Sequence, residues 1–429
     1  MARHSKVAIL RLCCLLVLTT NTFFSYHAVI SYLYRAIGIS HGDTFKNDKP
    51  FSQHAPVMQR RMNNNSQSGT HYPIGDKYPP TSAPPTNDGD RAEPQDTCTP
   101  KHNIVFLKTH KAGSSTVQNI VLRYGEKHKL TFALPKRRGV SENNAGWPHH
   151  FDKQYLIETP GKGYNIFAFH CRFAHKELSA VMPTGSIYFT ILREPVSLYE
   201  SMFRFFFTTN IRRQLKLKGD FTKAAVTFLS DPRRYYNADR SFPLVRNPMM
   251  FDMGMSVDEM DDERAVLRKI AELEGALHFV MISEYFDESL VLLRHLLCWK
   301  VDDIAYLANN VRINAERKLK GTDSLAEKIE QWNQADVMLY RHFNATFWER
   351  IQSFGADRME KEVWQFREKL EKSREFCVQR SKAGLSITGA KVVQYELNEG
   401  AENNLDCQRM ITTELDYLNY IKLTYQPSK

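Results

Sequence analysis

The stretch Leu107-Lys108-Thr109-His110-Lys111-Ala112-Gly113-Ser114-Ser115-Thr116 gathers two lysines, one glycine and a run of hydroxyls. An apolar run precedes it, and Val117, Ile120, Val121 and Tyr124 follow at helical spacing. A strand, a tight loop and a helix start therefore meet here. The first turn of a helix leaves backbone N–H groups unpaired and carries a partial positive charge, so it attracts an anion. Lysine adds a point charge, and serine and threonine add hydroxyl donors. The segment reads as an oxyanion-binding loop for a phosphate or a sulfate. It is not the Gly-x4-Gly-Lys-Ser/Thr loop of kinases, because its lysine precedes its single glycine.

A second anion site follows the same logic. Residues 187–192, Ile-Tyr-Phe-Thr-Ile-Leu, form an apolar, β-rich run expected to be a buried strand. Arg193-Glu194-Pro195 comes next, and Pro195 suits a first helical turn. The helix should run through Leu198, Tyr199, Met202, Phe203, Phe206 and Phe207. Ser201 lies two helical turns in. An Arg fork and a hydroxyl together suit a dianionic phosphate. Plainer readings compete: Lys111 in a solvated turn, Ser114 as a helix cap, Arg193 paired with Glu194. Two such sites in order, both at carboxyl ends of strands, favour the ligand reading. A further strand, 164–169, ends at His170, which puts an imidazole at the same sheet edge.

With these segments in place the chain resembles the galactose 3-O-sulfotransferase family. The loop 106–116, the segment 191–201, Glu284-Tyr285-Phe286-Asp287-Glu288-Ser289-Leu290 and Tyr340-Arg341-His342-Phe343-Asn344-Ala345-Thr346-Phe347-Trp348 carry the likeness. It covers about residues 103–377 and fades beyond Cys377. Members are Golgi type II membrane enzymes that move sulfate from 3′-phosphoadenosine 5′-phosphosulfate to the 3-hydroxyl of a β-galactose. The resemblance implies that Lys108, Thr109, Lys111, Gly113, Ser114, Ser115 and Thr116 form a P-loop-like phosphosulfate-binding loop. It implies that Arg193 and Ser201 hold the 3′-phosphate.

Such a reaction needs a base, because a sugar hydroxyl is a poor nucleophile at neutral pH. His170 is the expected base, as in related hexuronic-acid 2-O-sulfotransferases, and His110 competes for the role. Lys111 is expected to neutralise the leaving 5′-phosphate. Arg172 is left between orienting the acceptor and pairing with a carboxylate, and Glu284 between substrate contact and helix capping. No metal is expected in this scheme. Two other readings stand beside it: a phosphoryl transferase of P-loop type, and an inactive Golgi scaffold retaining the fold.

The elements that must position these residues read as α/β. Strands are expected at 103–107, 130–134, 164–169, 187–192 and 279–283, with helical patterns between them at 263–273 and 288–297. That order implies a parallel sheet flanked by helices. Residues 325–377 read as a helical C-terminal region. Leu339, Phe343, Phe347 and Ile351 make a core stripe there, with Trp332 and Trp348 as candidates for stacking on a sugar.

The termini set the location. Residues 12–34 carry no Asp, Glu, Lys or Arg and are long enough to span a bilayer as a signal anchor. Arg3, Lys6 and Arg11 in the preceding tail, 1–11, place that tail in the cytoplasm. Residues 42–101 hold nine of the 18 prolines and read as a disordered stem. The lumenal domain is then 102–429. Five cysteines fall on the lumenal side: Cys98, Cys171, Cys298, Cys377 and Cys407. An odd number leaves at least one free or bonded between chains. Cys298, within Leu-Leu-Cys-Trp, is expected in the core, and connectivity stays open. Sequons stand at Asn64 and Asn344. The net charge of +10 favours an anionic partner, but basic residues are dispersed and nucleic acid is not expected. A β-galactosyl glycan or glycolipid and the Golgi membrane are the expected partners, and oligomeric state is open.

Overall fold

The computed structural model describes residues 98–136, 142–159, 163–207, 221–236, 243–308, 323–385 and 391–425. The expected tail, membrane span and most of the stem lie outside them, as do residues 137–141 and 208–220.

Four parallel strands make the central sheet: β1 (Ile104–Leu107), β2 (Ile166–Phe167), β3 (Ile187–Leu192) and β4 (Phe279–Ile282), in the order β2-β1-β3-β4. Every residue of these strands is buried, as continuous apolar runs covered on both faces should be. The chain leaves β1 toward one edge and returns at β3 on the other side. The carboxyl ends of β1 and β3 therefore flank the point where strand order reverses, where ligands of such sheets bind. Thr190 ties the two strands further, its hydroxyl donating to the Leu107 carbonyl at 2.8 Å.

Helix α1 (Ser114–Lys127) follows β1, and α2 (Pro195–Met202) follows β3. Helix α3 (Pro248–Asp252) is a single short turn, α4 (Glu263–Ala276) leads into β4, and α5 (Phe286–Leu297) leaves it. Three helices succeed: α6 (Asp323–Trp332), α7 (Gln334–Phe354) and α8 (Ala356–Cys377). Leu339, Phe343, Phe347 and Ile351 are all buried, so the stripe on α7 is core.

Several expectations need correction. The strand expected at 130–134 does not form. Its backbone runs beside β2 through Ala133 N–H to the Ile166 carbonyl and Asn165 N–H to the Thr131 carbonyl, with one isolated bridge at Phe132. Pro135, which has no N–H, limits further pairing. The strand expected at 164–169 contracts to Ile166–Phe167. The α2 helix ends at Met202, and a π turn takes over at Phe203–Phe207. Residues 325–377 are helical as expected, in α6, α7 and α8, and beyond them an antiparallel hairpin, β5 (Val378–Leu385) with β6 (Lys391–Leu397), precedes α9 (Leu405–Ile411) and α10 (Glu414–Tyr425). Cys298, expected in the core, is half-buried; it is bonded to Cys98, and Cys377 is bonded to Cys407. Trp332 is buried, with its indole N–H on the Val245 carbonyl, so it packs the core and offers no face to a sugar. Trp348 packs edge-on against Tyr285.

Candidate active site

The turn from β1 into α1 is shaped by two left-handed residues, Lys111 (φ 60°) and Gly113 (φ 83°). Gly113 adopts that conformation at no steric cost, whereas Lys111 does so against its Cβ. Gly113 stands at the N-cap, and no side chain caps the helix there. No acid lies in the first turn. The dipole and N–H groups at this end of a 14-residue helix suit an external anion.

The loop side chains divide by direction. Thr109 is fully buried and gives its hydroxyl to the Ile191 carbonyl of β3 at 2.6 Å. The Ser114 hydroxyl donates to the Thr109 carbonyl. Lys108 is also buried, and its ammonium faces Ser114 Oγ at 3.3 Å, Ser115 Oγ at 3.0 Å and a Glu414 carboxylate oxygen at 3.5 Å. Burial depresses the Lys108 pKa, and Glu414 opposes the shift. Lys108 and Thr109 thus build the loop from inside. Lys111 lies nearer the outside, its ammonium 3.8 Å from the centre of the Phe205 ring.

Arg193 joins the loop after β1 to the segment after β3 directly. Its Nη1 donates to the Lys111 carbonyl at 3.0 Å. Glu194 does not pair with it; its carboxylate caps α2, accepting from the N–H groups of Val196 and Ser197. Glu284 accepts from the Glu194 N–H and from the Tyr340 hydroxyl, both at 3.1 Å. Burial raises its pKa. Ser201 is half-buried near the end of α2.

Two histidines stack beside the loop, His110 and His170, with ring centres 4.0 Å apart. His170 Nδ1 lies 2.8 Å from the Lys108 carbonyl. A carbonyl only accepts, so Nδ1 carries the proton and Nε2 keeps a lone pair. Burial holds the His170 pKa well below the ordinary histidine value, helped by His110, Lys108 and Lys111. His110 is set by Asp252: its backbone N–H donates to Oδ2 at 2.9 Å, and Nδ1 lies 2.9 and 3.0 Å from the two carboxylate oxygens. The Trp147 indole donates to the same carboxylate at 3.0 Å. Arg172 donates to the Met255 carbonyl and lies over the Phe251 ring.

Two residues here escaped the sequence reading. Asp252 had no local signal, being an acid at the end of a five-residue helix. Glu414 reaches the loop from α10. Its Oε2 accepts from Ser115 Oγ and its Oε1 from Asn143 Nδ2. A pairing across 299 residues leaves no trace in local spacing.

Comparison with known proteins bears on most of the chain. The family model for galactose-3-O-sulfotransferase matches residues 74–425. The likeness therefore runs past Cys377 and takes in α10. The chain is 37% identical over 339 residues to human galactosylceramide sulfotransferase, covering 75% of this chain and 78% of that one. It is 35% identical over 353 residues to pig galactose-3-O-sulfotransferase 2 (77% and 86% covered). It is 37% identical over 304 residues to bovine galactose-3-O-sulfotransferase 3 (70% and 67%). With a parallel sheet and these matches across most of its length, the chain belongs to the galactose-3-O-sulfotransferase family.

Proposed function

We propose that this protein transfers sulfate from 3′-phosphoadenosine 5′-phosphosulfate to the 3-hydroxyl of a β-galactose on a glycolipid or glycoprotein. The observation that carries the reading is the Arg193–Lys111 bond, which fuses two anion-binding segments at the strand-order reversal. A donor with phosphate at both its 3′ and 5′ positions needs two such segments side by side. The backbone N–H groups from Gly113 to Thr116, those of Ser114 and Ser115 among them, hold the 5′ end with Lys111 in a P-loop-like manner. Arg193 and Ser201 hold the 3′-phosphate. Family membership argues against both the phosphoryl transferase and the inactive scaffold.

In the transfer, the galactose 3-oxygen bonds to sulfur as the bond from sulfur to the 5′-phosphate oxygen breaks. His170 Nε2 takes the hydroxyl proton. Its lowered pKa keeps the imidazole neutral, hence able to accept, at neutral pH. Lys111 neutralises the charge left on the 5′-phosphate. A second assignment makes His110 the base, favoured by the Asp252 carboxylate on its Nδ1. The remaining N-terminal segment anchors the enzyme in the Golgi membrane with the catalytic domain lumenal. Two closed disulfides support an oxidising compartment.

The test is transfer of labelled sulfate by the full-length chain in detergent to a panel of β-galactosides, including galactosylceramide and lactosamine glycans. Lys111→Ala and His170→Ala should each lower the rate at least about 100-fold. His170→Ala should still bind 3′-phosphoadenosine 5′-phosphate. Loss with His110→Ala but not with His170→Ala would move the base to His110. Absence of transfer to every galactoside would defeat the acceptor reading.

A further inference from the structure

The C-terminal helix reaches into the donor loop through one carboxylate. Glu414 opens α10, and its side chain is 13% exposed against 2% for Lys108. Three partners surround it: the Lys108 ammonium, the Ser115 hydroxyl and the Asn143 amide. Burial alone would push this carboxyl up, yet Lys108, Ser115 and Asn143 hold it below the ordinary value, so it is ionised. Asn143 is itself fixed, exchanging hydrogen bonds with the Gln118 amide of α1 at 2.6 and 3.2 Å.

The consequence for the loop is specific. The Ser115 hydroxyl gives its proton to Glu414 and accepts from Lys108. The Ser114 hydroxyl likewise accepts from Lys108 and donates to the Thr109 carbonyl. The orientations of both serines thus depend on where Lys108 points, and among the described residues it is Glu414 of α10 that pairs with the Lys108 ammonium. A buried ammonium without that partner would shed its proton or draw in water. The rest of the C-terminal segment braces the same side of α1. Arg409 and the Tyr417 hydroxyl both bond Glu126, and Asn119 donates to the Arg409 carbonyl.

We propose that Glu414 is a positioning residue for the sulfate donor: by pairing with Lys108 and Ser115 it makes the C-terminal helix part of the donor loop. This rests on the reading of that loop as the nucleotide site. Glu414 touches no substrate; it acts through Lys108 and Ser115.

Titration calorimetry with 3′-phosphoadenosine 5′-phosphate on the full chain tests this, alongside KM for donor and for acceptor. Glu414→Ala should weaken nucleotide binding about tenfold or more, as loss of a charge-assisted hydrogen bond would. Donor KM should rise in step, and by more than acceptor KM. Glu414→Asp keeps the charge but shortens the reach, so it should weaken binding in the same direction even if Glu414→Ala fails to fold. Ser115→Ala combined with Glu414→Asp should cost less than the sum of the two, because they act through one contact. Wild-type affinity or tighter in the Glu414→Asp protein would overturn the proposal alone. A wild-type chain that binds no nucleotide would overturn it together with the loop assignment.

Discussion

Lys111 holds a left-handed backbone that a residue with a Cβ adopts at a cost of about 1–2 kcal/mol. On the proposed reading of this turn as the donor loop, strain at its centre fits a residue retained for its ammonium rather than its conformation. Lys111→Gly should therefore leave the melting temperature unchanged or a few degrees higher, while sulfate transfer falls at least about 100-fold. A calorimetric scan beside a rate assay separates the two effects. His170 makes a different statement through pH. Its folded pKa lies below the unfolded value of about 6.5. Between those values the unfolded chain takes up a proton that folded His170 refuses. Its contribution to stability is thus fully present above about pH 6.5 and is lost as pH falls below it. If His170 is the base, the acidic limb of the kcat/KM profile should also lie below about pH 6.5. A limb above pH 7 would count against it.

Helix α3 shows how one element positions a side chain for another. Five residues cannot hold a helix unaided. Its first N–H groups, those of Met249 and Met250, are taken by the carboxylate of Asp336 on α7, at 3.1 and 2.8 Å. The last residue of α3 is Asp252, which orients His110 and Trp147. Asp336→Ala should cost about 2 kcal/mol by leaving two buried donors unmet. It should also slow transfer, read as a fall in kcat with donor KM little changed. Burial pushes the Asp336 carboxyl up to about 7, against the bonds from Met250 and Met249. Because that value lies above the unfolded one, its contribution is fully present below about pH 4 and declines as pH rises through 7. Asp336→Asn should lack this decline when melting temperatures are compared at pH 5 and pH 8.

At this scale sequence patterns were legible where burial was complete. Strand β3 matches its apolar run residue for residue, since both faces are covered and nothing interrupts it. The run at 164–169 promised more than it delivered. Only Ile166 and Phe167 pair with β1, while the chain beyond turns to bridge Asn144 and Arg172 bridges His150. The loop and Arg193 were visible because strand, turn and helix signals coincide there. Asp252 and Glu414 were not, because tertiary packing alone brings them to the site.

Across the molecule the two disulfides close loops of very different size. Cys98–Cys298 spans 200 residues and joins the entry to β1 with the end of α5. Cys377–Cys407 spans 30 and ties α8 to α9, around the hairpin. In the chain-entropy picture a loop of that smaller size contributes about 3.5 kcal/mol. Replacing both Cys377 and Cys407 by Ala should lower stability by about that much, measured by urea unfolding. The nucleotide affinity should fall with it if α10 steadies the donor loop.

Among the described residues Cys171 is the one unpaired cysteine, and it is buried directly after His170. Burial raises its pKa far above the thiolate range, which leaves the sulfur unreactive to alkylating reagents while the fold is closed. The described residues thus offer a clean background for labelling. A cysteine introduced at Leu423, 86% exposed on α10, would carry a fluorophore there and make the C-terminal helix an optical reporter of donor binding.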